Sequence, residues 1–245
     1  MSTPVLPSDL VFIAGINNAD TLARRLAASP CITRGQYPLR AFFNSASAAD
    51  AFNAAIDHLP PQCWAVWVHQ DVYLPDGWPE RFLKELNTVR KGLPELAVAG
   101  VYGVRGHGDG ALRAGHVLDR GIVRREPLPL PCEVDSLDEL LVAVRVGSGL
   151  RMDPQLGYDF YGTDLVLEAQ ARGLKAVAVD AFCEHWSDTP AAGPVAAGVL
   201  QRIAVNAEAF ERKWAARLPV TTPCFDIRQP GDVARFLQQL PVSEH

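Results

Sequence analysis

The segment Trp64 to Pro75, WAVWVHQDVYLP, limits what this chain can fold into more than any other. Trp64-Ala65-Val66-Trp67-Val68 is a continuous apolar run of aromatic and β-branched residues. A short run of this kind reads as a strand buried on both faces, as in the middle of an α/β sheet. His69, Gln70 and Asp71 end the run, and Leu74-Pro75-Asp76-Gly77 is turn chemistry. The strand therefore carries an imidazole and a carboxylate to its C-terminal end, the edge of an open α/β sheet where ligands bind. An oxygen donor on so rigid an element suits a hard cation or a phosphate-bearing ligand. The alternative is a strand cap with a solvated aspartate.

The segments on either side extend the same pattern. Leu10–Ala14 reads as a first buried strand, followed by a polar turn and a helix capped by Asn18 or Asp20. That turn has no G-x-G-x-x-G or P-loop spacing, so neither a dinucleotide nor a Walker-type triphosphate site is indicated. Asn17 can contact a base or ribose there, or be an ordinary turn asparagine. Leu39–Phe43 is a second strand, and a helix over Ala46–His58 has Ala48, Ala51, Phe52, Ala55, Ile56 and Leu59 on one face. Asn53 lies in that helix as a buried polar anchor. Trp78–Lys91 is a helix and Leu96–Tyr102 a buried strand. Gly103–Gly115 holds five glycines with Arg105, His107 and Arg113, which predicts a mobile loop near the ligand edge.

Asp135 to Glu139 reads as an acidic turn before a core strand over Leu140–Val146. Thr163 reads as the N-cap of a helix closed by Gly173, with Asp164 in its first turn. Asp164 either complements the helix dipole or projects into the cleft as a base. Lys175–Phe182 is a further strand, and His185 follows it as either a structural histidine or a ligand.

Composition narrows the function classes. The chain has 245 residues and a formal charge of −5, which suits one α/β domain over 1–245 with a C-terminal helical extension from about residue 195. An acidic balance argues against a general nucleic-acid binder. Cys31, Cys63, Cys132, Cys183 and Cys224 form no C-x-x-C pair, so reduced thiols, a cytoplasmic location and no structural zinc are expected. The first basic residue is Arg24 and no apolar run approaches a membrane span, so neither a signal peptide nor a transmembrane segment is expected.

Taken in order, NSASAADAFNAA, WVHQDVYLP, VDSLDELLVAVR, GYDFYGTDLVLEAQARG and CEHWS resemble the proteins related to glycosyltransferase family 2, over roughly Asn44 to Ser187. The resemblance implies a GT-A fold, a Rossmann-like mixed sheet flanked by helices. It implies transfer of a sugar from a nucleotide-sugar donor to an acceptor hydroxyl, with inversion. In that family a D-x-D motif at a strand end holds Mg²⁺ or Mn²⁺ on the donor diphosphate. His69-Gln70-Asp71 matches that place but departs from it at His69. By resemblance His69, Gln70 and Asp71 face the donor, with Asp71 and His185 on the metal, and Asn17 and Asn53 are read beside them as donor contacts. Asp164 matches the catalytic base, and Asp135 and Asp138 match the acceptor side. The acceptor is a glycan, a lipid-linked sugar or a small molecule. A catalytically silent nucleotide-binding module of the same fold, and a metal-dependent hydrolase or nucleotidyltransferase, stay open as alternatives.

Overall fold

The computed structural model describes residues 9–187 and 193–243. The strand that dominates the sequence forms as expected, Trp64–Val68, with every residue buried. In chain order the elements to that point are β1 (Leu10–Ile16), α1 (Ala19–Arg24), α2 (Pro30–Thr33), β2 (Leu39–Phe43), α3 (Ala48–Ile56) and β3 (Trp64–Val68). Then come β4 (Val72–Tyr73), α4 (Trp78–Gly92), β5 (Leu96–Gly100), β6 (Tyr102–Arg105), β7 (Leu112–Asp119) and β8 (Ile122–Arg125). The remainder is β9 (Cys132–Glu133), β10 (Ser136–Leu137), β11 (Leu141–Arg145), α5 (Tyr161–Ala171), β12 (Lys175–Ala178), β13 (Cys183–His185), β14 (Val195–Ala196), α6 (Ala197–Lys213), β15 (Val220–Thr221), β16 (Asp226–Ile227), α7 (Asp232–Leu237) and β17 (Val242–Ser243).

Seven strands make the main sheet in the order β2-β1-β3-β11-β5-β12-β9. The strands β2, β1 and β3 run parallel, while β11 is antiparallel to both β3 and β5. This sheet is mixed, and its two faces take alternate residues of β3. Trp64, Val66 and Val68 pack with Trp78, Phe82 and Leu86 of α4. Ala65 and Trp67 pack with Phe52 of α3 and with Leu165 and Val166 of α5. Burying each such large side chain contributes about 1.5–3 kcal/mol. A third cluster, with Phe160, Leu167, Phe210 and Trp214, fastens α6 and α7 onto α5.

A second sheet, ordered β10-β6-β7-β13-β4 with β8 on β7, stands beside the C-terminal edge of the first. Two expectations change here. Gly103–Gly115 is not a loop: β6 and β7 pair across it, Tyr102 opposite Gly115 and Gly103 opposite Ala114. The acidic turn contains β10, which pairs with β6. Helix α5 also starts earlier than Thr163 would set it. Its N-cap is Phe160, held at φ +66 by stacking on Phe210 at 5.1 Å, and Thr163 is buried inside the helix. Left-handed backbone at a bulky residue is strained and persists only where packing enforces it. Among the described residues no helix is long and apolar enough to cross a membrane.

Candidate metal centre

Strand β3 hands the chain to His69 at the edge of the main sheet, and Asp71 follows in the turn to β4. Strand β13 pairs antiparallel with β4, His185 opposite Val72, which brings the second histidine over the same turn. The Trp186 amide donates to the Asp71 carbonyl at 3.0 Å and locks the crossing. One nitrogen of His69, one oxygen of Asp71 and one nitrogen of His185 consequently lie within 4.8 Å of one another.

Hydrogen bonds set which nitrogen of each ring faces inward. The Tyr161 hydroxyl accepts from Trp67 Nε1 at 3.0 Å and donates to the Glu139 carbonyl at 3.0 Å. With that proton on the Glu139 carbonyl, the imidazole is the donor in the contact with His69 Nε2 at 2.8 Å. That assignment leaves the His69 Nδ1 lone pair free, 4.0 Å from Asp71 Oδ1. His185 repeats the device. Its Nδ1 lies 2.9 Å from Asp119 Oδ1, and its Nε2 is 3.5 Å from Asp71 Oδ1. At 3.5 Å the Asp71 contact is an ion pair rather than a hydrogen bond, and Asp71 Oδ1 is buried with no donor. A buried anionic oxygen without a donor, beside two oriented imidazoles, is what a cation ligand set requires. Metal-binding histidines generally donate their other nitrogen to a carboxylate or similar acceptor, as His185 does.

The charges add one condition: a cation must displace the proton that His185 Nε2 holds in the free protein. Burial lowers the His69 pKa more than Asp71 raises it, so this ring is neutral at pH 7. Burial also works against charge on His185, but Asp119 and Asp71 outweigh it and raise its pKa to about 9. Burial pushes Asp71 up, yet His185 and then His69 outweigh it and hold the carboxyl below its ordinary value. Asp119 is lowered chiefly by His185, against its own burial.

The other residues marked in the sequence divide into two groups. Gln70 Oε1 accepts from the Asn17 and Asn18 amides at 3.1 Å each, and Gln70 Nε2 donates to Asn17 Oδ1. This pair ties the β1 and β3 ends together beside the centre. Asp138 lies close enough to act electrostatically on both histidines, although its Oδ1 is spent on the Leu140 amide.

Three expected site residues are elsewhere. Asn53 uses its amide on the Met152 backbone, donating at 2.9 Å and accepting at 3.1 Å, so it is a structural clamp and not a donor contact. Asn53→Ala should therefore cost about 1–2 kcal/mol in a thermal melt and leave nucleotide affinity unchanged in calorimetry. Asp135 accepts from the Gly106 amide at 2.7 Å and from Gln170 at 3.0 Å, tying the β6–β7 hairpin to α5. Asp164 is 1 % exposed and bound by Lys213 at 2.7 Å and Trp214 Nε1 at 2.8 Å. A carboxylate sealed in that way cannot reach an acceptor hydroxyl.

Sequence reasoning passed over Asp119 and Tyr161, and read Glu139 only as part of the acidic turn. Glu139 directly follows Asp138. Burial, then Asp159 and Asp138, push its carboxyl well above the ordinary range, against the pull of the Gly162 and Phe160 amides.

The main sheet and its flanking helices define a GT-A-like glycosyltransferase fold. The chain superposes on a mannosyltransferase from Pyrobaculum calidifontis, PcManGT, solved with GDP-mannose and Mn²⁺. The TM-score is 0.51 at 12 % identity, over 94 % of this chain and 70 % of that one. A structure of GalNAc-T7 with UDP, GalNAc and Mn²⁺ gives a TM-score of 0.49 at 11 % identity, over 96 % and 55 %. A curated relative from Fuscovulum blasticum, described as ATP synthase subunits region ORF 6, is 30 % identical over 139 residues. That match spans about half of each protein, 51 % of this chain and 53 % of the relative. No family model matches the chain.

Proposed function

We propose that this protein is a cation-assisted, inverting glycosyltransferase of the class related to glycosyltransferase family 2. It moves a sugar from a nucleotide-sugar donor to an acceptor hydroxyl. The observation that carries the reading is the His69–Asp71–His185 group at the C-terminal edge of a GT-A-like sheet, with His69 Nδ1 and His185 Nε2 both turned towards Asp71. Two imidazoles and one carboxylate favour Mn²⁺ over Mg²⁺, which prefers an all-oxygen shell. When bound, a divalent cation here neutralises charge on the departing nucleoside diphosphate.

The protein's own residues supply the rest. Tyr161 and Asp119 fix the two rings, and Asn17 with Gln70 holds the donor-side loop. Asp138 stands on the acceptor side. Glu139 takes the acceptor proton as the new C–O bond forms at the anomeric carbon and the bond to the diphosphate breaks. A carboxyl raised towards neutrality is the better matched base. A cytoplasmic location belongs to the same proposal, supported by five unpaired cysteines.

A thermal-shift screen of GDP, UDP and their sugars, with and without Mn²⁺, tests the donor side. A nucleotide and Mn²⁺ together, near a hundredfold above Kd, should raise Tm by about 5–10 °C. No shift with any nucleotide would exclude the donor class. The anomeric configuration of the product, read by NMR, tests inversion.

A further inference from the structure

We propose that the β7–β8 hairpin tip docks the protein onto an anionic lipid surface, with the metal centre held at that surface. The tip is a two-residue turn, Arg120 at φ +50 and Gly121 at φ +79, the left-handed pair that closes a tight hairpin. Just past it, Ile122 and Val123 are 53 % and 59 % exposed, although β-branched side chains ordinarily cover a core. Arg120, Arg124 and Arg125 flank them.

Charge decides what such a tip fits. The whole chain carries −5, yet residues 120–125 carry three arginines and no acid. Acids bound the segment on both sides: Asp119, 3.5 Å from Arg120 Nη1 and Arg124 Nε with its other oxygen taken by His185, and Glu126, which accepts from the Tyr102 hydroxyl. The Arg125 guanidinium lies 3.4 Å from His116 Nδ1, which Asp180 Oδ1 approaches at 3.1 Å. Arginines on an edge strand also discourage strand-to-strand aggregation, and among the described residues β8 pairs only with β7. That role does not account for an exposed Ile-Val pair among them. A small apolar wedge ringed by guanidinium groups matches the boundary between anionic headgroups and acyl chains.

The tip is also continuous with the centre. Strand β13 pairs in parallel with β7, His185 opposite Asp119, and the Arg120 amide donates to the His185 carbonyl at 3.0 Å. A surface that meets the tip therefore lies next to the metal group. Docking itself does not depend on glycosyl transfer; the corollary that the acceptor is held in that surface rests on it.

The test is co-sedimentation of the full chain with phosphatidylcholine vesicles, with and without phosphatidylglycerol. Binding is expected only to the anionic vesicles and should fall as salt rises. Arg125→Gln should weaken it roughly fivefold, from about 1 kcal/mol per basic residue at an anionic surface. The pair Ile122→Ser with Val123→Ser should weaken it at every salt concentration. Equal binding to both vesicle types, no binding to either, or unchanged binding in these variants would overturn the proposal. So would displacement by inorganic phosphate at matched ionic strength, which would make the tip a phosphate site. Loss of a dimer in the serine variant without vesicle binding would assign the surface to a second copy of the chain. No sugar donor enters the assay, so its failure leaves the transferase reading intact.

Discussion

Lys213→Met should destabilise the protein by about 3 kcal/mol, lowering Tm by roughly 6–12 °C. Lys213 Nζ lies 2.7 Å from Asp164, 3.0 Å from Asp153 and 3.1 Å from Glu168. The other Asp164 oxygen, Oδ2, is already buried without a partner. Removing the ammonium strands a carboxylate that is 1 % exposed. Losing one partner of a buried pair typically costs 3–5 kcal/mol, and the lower end applies because the Lys213 side chain is 26 % exposed. Asp164→Asn should cost less, since Asn keeps an oxygen for Trp214 and leaves no stranded charge. Combining the two changes should recover part of the loss, which a double-mutant cycle measures. If Lys213→Met melts with the wild type while Asp164→Asn binds donor but does not turn over, Asp164 returns to the chemistry.

Glu139→Gln should keep donor affinity and lose transfer by about 10²–10⁴-fold, the range for a positioned base. Glutamine retains an oxygen for the Gly162 and Phe160 amides, so the start of α5 should hold. It cannot accept a proton. An effect confined to turnover marks a group acting in the transition state rather than in ground-state binding. The pH profile adds an independent check. A base works deprotonated, so kcat/KM should rise with pH through the raised Glu139 pKa, and that limb should vanish in the variant. Turnover near wild type would move the base elsewhere on the acceptor side.

The residues legible in the sequence are those whose role is set by their neighbours in the chain. Strand β3 was visible because five consecutive apolar side chains allow little else. His69 and Asp71 were visible because they end it. Asn18 was visible as a cap and does accept from the Asp20 and Thr21 amides. The errors come from partners far along the chain. Asp164 looks like a helix-start carboxylate until Lys213 and Trp214 arrive from α6, about fifty residues on. Thr163 looks like a cap because nothing local shows that Phe160 begins the helix.

The glycines of the β6–β7 hairpin suggested mobility, but two of them serve close packing. A side chain at Gly103 would strike the Ser136 carbonyl oxygen, and one at Gly115 the Tyr102 ring. Asp119 had no signal at all. Its role exists only because β13 lies alongside β7.

The most direct measurement is a calorimetric titration of Mn²⁺ into the wild-type protein, Asp71→Asn and Asp119→Asn. One ion per chain is expected for the wild type. Asp119 reaches the centre through His185 and is not itself in the ligand set, so its loss should weaken Mn²⁺ by about 10–100-fold, the range for a residue orienting a ligand. Asp71→Asn should weaken it further, because it removes the one carboxylate of the ligand set. Mn²⁺ binding of equal affinity in all three proteins would contradict a cation centre at His69, Asp71 and His185.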